Sequence, residues 1–145
     1  MFVVIANGYS SASGTDLFNY PQLPVVQKVT GCPTQSGNAT ANCPTVGGTW
    51  ITITGLYFNS FGLSVTIGEN ACDNVDLISG GAQILCQLEA GAGVNLGVTV
   101  VVDVRFSLAV DLVSFAQATI SNVQGCSNSG VNTINCPRSG NHTIT

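Results

Sequence analysis

Apolar and polar positions alternate with a period of two along much of the chain. Thr49-Trp50-Ile51-Thr52-Ile53-Thr54 puts Ile51 and Ile53 on one face and Trp50, Thr52 and Thr54 on the other. Leu63-Ser64-Val65-Thr66-Ile67 repeats the pattern, with Leu63, Val65 and Ile67 pointing one way. Gln83-Ile84-Leu85-Cys86 and the stretch from Gly97 to Val104 read as further strands, and the opening from Met1 to Gly8 reads as a strand ending in a turn. Gly47-Gly48, Gly55, Gly68, Gly80-Gly81 and Gly91-Ala92-Gly93 separate these segments as turns. No segment combines a 3.6-residue period with helix caps.

The pattern recurs at long range. Val26-Gln27-Lys28-Val29-Thr30-Gly31-Cys32 matches Ile120-Ser121-Asn122-Val123-Gln124-Gly125-Cys126 at an offset of 94. Asn42-Cys43-Pro44 matches Asn135-Cys136-Pro137, and Ile51-Thr52 matches Ile144-Thr145, both at an offset of 93. Val3 to Ile5 followed by Phe18 parallels Val98 to Val102 followed by Phe115. Self-similarity at a fixed period signals an array. The reading is a complete unit at 24–118, between the C-terminal strand and linker of a preceding unit (1–23) and the N-terminal part of a following one (119–145). Short strands with turns at this spacing in a unit of this length predict an all-β, immunoglobulin-like β-sandwich in a tandem array.

The six cysteines are Cys32, Cys43, Cys72, Cys86, Cys126 and Cys136. Their even number, beside one histidine and without short C-x2-C spacings, argues for disulfides over metal sites and for an oxidising, extracellular location. Six cysteines allow 15 connectivities. Pairing in sequence order, which would leave 10, 13 and 9 residues between partners, rests on the repeat.

Charge is scarce. Three Lys and Arg stand against seven Asp and Glu, so 7% of residues are charged and the net charge is −4. Soluble domains average about 25%, so hydroxyls, amides or attached sugars must wet this surface. A pI near 4.3 with so few cations excludes nucleic acid as a partner. Mean hydropathy is +0.39, yet the most apolar run, from Val98 to Val110, is interrupted by Asp103 and Arg105 and followed by Asp111, so no transmembrane segment is expected in this window. The opening lacks a basic leader and its apolar stretch is short for a signal peptide. A signal is therefore expected upstream of Met1, in a longer chain.

Cys43-Pro44-Thr45-Val46-Gly47-Gly48-Thr49-Trp50-Ile51-Thr52-Ile53-Thr54-Gly55-Leu56-Tyr57-Phe58 resembles the GGT-x-ITI-x-G-x-x-F opening of IPT/TIG domains. Val65-Thr66-Ile67-Gly68, Cys72, Ile84-Leu85-Cys86 and Gly91-Ala92-Gly93 follow in the family's order, so that the landmarks span about residues 24–103. The resemblance implies an early-Ig sandwich and a Cys72–Cys86 disulfide. The added Cys32–Cys43 pair is similar to that of tandem extracellular members. It departs from the DNA-reading members, whose basic loops have no counterpart here.

Catalysis finds no support in the residues. The one histidine, His142, lies in the head of the following unit, so a triad has no base beside a nucleophile. The acids Glu69, Asp73, Asp76, Glu89, Asp103 and Asp111 are scattered; Asp73 and Asp76 could help hold calcium but read as a solvated loop. The expectation is no enzyme, no metal and no cofactor, with covalent glycans instead. Sequons place N-glycans at Asn38 and Asn141. Outward Thr52, Thr54, Ser64 and Thr66 are candidate O-glycosylation positions, although threonine also simply favours strands. Trp50, outside by alternation, is a candidate contact aromatic for a sugar or a neighbouring domain. Phe58 reads as core, while Tyr57 and Phe61 stay open.

These features together suggest a structural segment of a secreted or cell-surface glycoprotein, its tandem domains forming a stalk or fibril with a glycan coat. The expected partners are neighbouring domains of the same chain and like chains in a filament. The alternative is a ligand- or glycan-recognition module of a cell-surface adhesion receptor.

Overall fold

A computed structural model describes residues 3, 5–10, 20–140 and 143–145. Its strands are β1 (Ile5–Ala6), β2 (Tyr9–Ser10), β3 (Val25–Thr30), β4 (Thr34–Ser36), β5 (Ala39–Cys43), β6 (Trp50–Leu56), β7 (Ser64–Ile67) and β8 (Asn70–Ile78). They continue as β9 (Gln83–Leu88), β10 (Leu96–Val102), β11 (Arg105–Phe106), β12 (Val110–Phe115), β13 (Ser127–Ser129) and β14 (Asn132–Ile134). Among the described residues, the helical geometry is one 3-10 turn, Ser79–Gly81.

The central strands form a sandwich of two layers. One runs β3-β6-β9-β8 and the other β8-β7-β10-β12-β5-β4, with β11 pairing beside β10. β8 serves both. Asn70 and Ala71 pair with Ile67 and Thr66 of β7, and from Cys72 onward the strand pairs with β9. Ile51 and Ile53 of β6, Ile84 and Cys86 of β9, and Val98 and Val100 of β10 are fully buried between the layers. Each large aliphatic side chain buried there contributes about 1.5–3 kcal/mol. With few charges to guard strand edges, the fold protects one by its own hairpin. On the outer edge of β3, Val29 N donates to the Asn38 carbonyl at 2.9 Å and accepts at its own carbonyl from Gln35 Nε2 at 3.0 Å.

Several sequence expectations shift. Gly55 is no turn: it lies inside β6, paired with Val26, because a side chain there would collide with the Phe58 ring and the Val25 backbone. Asp73 and Asp76 sit not in a loop but in β8, flanking an irregularity where Asn74 adopts φ +49°. The strand expected from Gly97 to Val104 begins at Leu96 and stops at Val102, because Asp103 takes φ +60° and turns the chain into β11.

Candidate functional site

The segment from β3 to β5 is built around a close backbone approach. Gly31 has φ +133°, and a β-carbon on it would stand 2.8 Å from Ile51 Cα, so only glycine lets the chain turn here against β6. Cys32 follows and is disulfide-bonded to Cys43 at the end of β5, with their Cα atoms 4.9 Å apart. Between them β4 and β5 form a hairpin in register Thr34↔Ala41 and Ser36↔Ala39. Thr40, 1% exposed, accepts a hydrogen bond from Cys32 N at 3.0 Å and donates to the Thr34 carbonyl at 3.4 Å. Asn38 sits at the hairpin turn beside Gly37 (φ +59°), its side chain exposed.

The same construction stands near the other end of the chain. Gly125 has φ +137°, and a β-carbon on it would lie 3.1 Å from Ile144 Cα. Cys126 and Cys136 are disulfide-bonded around the β13–β14 hairpin, and Cys126 N donates to Thr133 Oγ at 2.9 Å. Val123 N donates to the Val131 carbonyl at 3.2 Å, the counterpart of the Val29–Asn38 bond. Asn42 and Asn135 both adopt left-handed backbone, φ +57° and +54°. Near the start, β1 and β2 pair as Ile5↔Ser10 and Ala6↔Tyr9 across a turn opened by Asn7 at φ +51°. β10 and β11 pair in the same way, Val101↔Phe106 and Val102↔Arg105, across a turn opened by Asp103.

The family pattern described as IPT/TIG domain matches residues 33–117. The chain belongs to the IPT/TIG family. A search of curated proteins finds no match to it. IPT/TIG domains are generally non-catalytic Ig-like modules that bind no cofactor, often found in extracellular or receptor proteins. The matched span holds the Cys72–Cys86 disulfide (Cα atoms 5.9 Å apart) and Cys43 of the Cys32–Cys43 disulfide, Cys32 lying just before it. Three disulfides fit an extracellular or secreted setting. No helix among the described residues is long and apolar enough to cross a membrane.

On the outer face of this IPT/TIG sandwich, Trp50 is 46% exposed and paired opposite Gln87. The Gln87 amide donates to the Gly48 carbonyl at 2.9 Å and accepts from Asn74 Nδ2 at 3.0 Å, so it is held beside the indole. Thr52 and Thr54 are half-buried on the same face, and Thr54 Oγ accepts from Gln83 Nε2 at 3.5 Å. Ser64 and Thr66 lie on the other layer, Ser64 exposed and Thr66 half-buried opposite Thr99. The face thus carries an aromatic among amides and hydroxyls. Among the described residues no group of three His, Cys, Asp or Glu side chains could hold a metal ion. Phe58 is buried, whereas Tyr57 and Phe61 are exposed. Asn141 and His142 lie outside the described residues.

Proposed function

We propose that this chain is part of a secreted or cell-surface structural protein in which IPT/TIG units follow one another as rigid, disulfide-stapled beads of a stalk or fibril. The complete bead is residues 24–118, with 1–23 closing the bead before it and 119–145 opening the bead after it. The observation that carries this reading is the double recurrence of local geometry. The β13–β14 hairpin repeats β4–β5 down to its disulfide, its left-handed asparagine and its glycine packed on backbone. The β1–β2 hairpin repeats β10–β11 in register. Two different ends of one unit therefore flank a whole copy of it, the arrangement that consecutive units produce.

Glycans supply the hydration that a chain with 7% charged residues lacks. Asn38, exposed at the tip of a stapled hairpin, is the acceptor best presented for it. The half-buried Thr52, Thr54 and Thr66 make poorer attachment points than the exposed Ser64.

Electron microscopy of the native material, at a resolution that shows density beyond the side chains, tests the reading. An axial repeat of one or two Ig-like domains with extra density on Asn38 supports it. Isolated particles with a bare Asn38 sink it and favour a recognition module, for which Trp50 and Gln87 are the natural contact.

A further inference from the structure

The two poles of the sandwich differ in chemistry. The chain enters at Val25, which pairs with Leu56, so the start of β3, the end of β6, the following loop and the β10–β11 turn share one pole. Asp103 N donates to the Phe61 carbonyl at 2.9 Å and ties that loop to that turn. Phe61 (73% exposed), Val104, Phe106 and Leu108 (86%) stand out into solvent there. Beside them runs an apolar groove of about 220 Å³, lined by Leu23, Pro24, Val25, Val26, Leu108 and Val110. Both cations of the unit, Lys28 and Arg105, lie in this half, together with the acids Asp76 and Asp103. Arg105 donates through Nη1 to the Gln22 carbonyl at 3.4 Å, and its Nε is buried with no hydrogen-bond partner among the described residues.

The pole where β12 ends is different. The turns after β5, between β7 and β8, and between β9 and β10 meet there: Gly68 N donates to the Gly97 carbonyl and Gly91 N to the Thr45 carbonyl. They expose Val46 (83%) and Val94. Glu69, Asp73 and Glu89 are exposed around them, and no basic side chain of the unit is.

We infer that the entry pole of one unit seats the exit pole of a second copy, head to tail. Three observations converge on that occupant. Both poles expose large apolar side chains, which monomers rarely leave in such clusters. The exit pole is the more negative of the two, with Glu69, Asp73 and Glu89 exposed there, whereas in the entry half Lys28 and Arg105 balance Asp76 and Asp103. And only four residues, Ala116 to Thr119, separate Phe115 from Ile120, the sequence counterpart of Val26. Fully extended they span about 14 Å, so in consecutive copies the two poles lie side by side. The contact joins unlike surfaces and does not close on itself, and so propagates along a line. This inference rests on the tandem reading for the identity of its occupant, and adds the surface.

Sedimentation velocity of the 145-residue chain tests it in trans. From about 10 μM to 1 mM, a range that reveals contacts of weak interfaces, the weight-average sedimentation coefficient is expected to rise. Leu108→Asp at the entry pole, or Val46→Asp at the exit pole, removes the concentration dependence. An equimolar mixture of the two variants regains one species, a dimer, because one chain keeps its exit pole and the other its entry pole. Both positions are exposed, so melting temperatures stay at the wild-type value; a variant that melts early is replaced by Phe106→Glu or Val94→Glu. A single species at every concentration overturns the inference, as does an entry-pole dimer insensitive to Val46→Asp. Native fibrils whose beads stand apart at the poles would overturn it too, while leaving the tandem stalk intact.

Discussion

Gly31 lies against the backbone of Ile51, so close that a β-carbon would stand 2.8 Å from Ile51 Cα, and its φ of +133° is one that other residues rarely adopt. Gly31→Ala therefore combines a backbone strain of about 1–3 kcal/mol with a steric displacement of β6. The midpoint of urea unfolding is expected to fall by the equivalent of about 2–4 kcal/mol. A midpoint equal to wild type would show that the turn at Gly31 relaxes without cost.

The disulfides act on separate parts of the sandwich. Cys72–Cys86 joins β8 to β9 on the core side, and Cys32–Cys43 closes the hairpin against β3. Their sequence separations, 14 and 11, are similar, so the chain-entropy term is about 3 kcal/mol for each. Replacing either pair by alanines is expected to lower stability by about 2–5 kcal/mol in guanidinium unfolding under oxidising conditions. A loss under 1 kcal/mol for the Cys72–Cys86 pair would contradict this.

Thr40 has two roles that substitution separates. Its buried hydroxyl bonds Cys32 N and the Thr34 carbonyl, and it completes the Asn38 sequon. Thr40→Val leaves the Cys32 amide without its acceptor and should cost about 1–3 kcal/mol in denaturant unfolding. Thr40→Ser keeps both the bond and the sequon, and Asn38→Gln removes only the sequon. Expressed through a eukaryotic secretory route, wild type and Thr40→Ser are expected to carry a glycan on Asn38 by intact-mass spectrometry, and Asn38→Gln none. An unmodified wild-type mass would remove Asn38 from the coat.

Two aromatics eight residues apart should respond oppositely to truncation. Phe58 is 6% exposed under Gly55, and Trp50 stands outside beside Gln87. Phe58→Ala is expected to destabilise by about 3–5 kcal/mol through lost burial and a residual cavity, and Trp50→Ala by about 1 kcal/mol or less. Thermal melts of both variants decide, and comparable losses would place Trp50 in the core's energetics.

Alternation made Ile51 and Ile53, and Val65 and Ile67, legible as core, because an unbroken strand with one dry face writes that face at every second residue. β12 was harder to see. Leu112 and Val113 are adjacent and both buried, since the register against β10 slips between Leu96 and Gly97 and turns two neighbours inward. β8 hid for a related reason: Asn74 breaks its pairing, and Asp73 and Asp76 carry charges that read as loop. Gly55 looked like punctuation because its reason, the Phe58 ring folding back over β6, lies in tertiary packing. The poles are invisible in one dimension for the same cause, since Phe61 joins the β10–β11 turn at one pole only through the bond of Asp103 N to its carbonyl.

One strand pair sets how the sandwich answers a pull along the chain. Tension entering through β3 and leaving through β12 meets β5 lying parallel to β12, paired as Val113↔Thr40 and Phe115↔Cys43, with Ala116 N bonded to the Cys43 carbonyl at 2.8 Å. Parallel neighbours loaded along their length slide rather than peel, so these bonds resist in shear and share the load instead of parting one at a time. β5 cannot follow β12 outward, because the Cys32–Cys43 bond anchors its end to the strand through which the force came in.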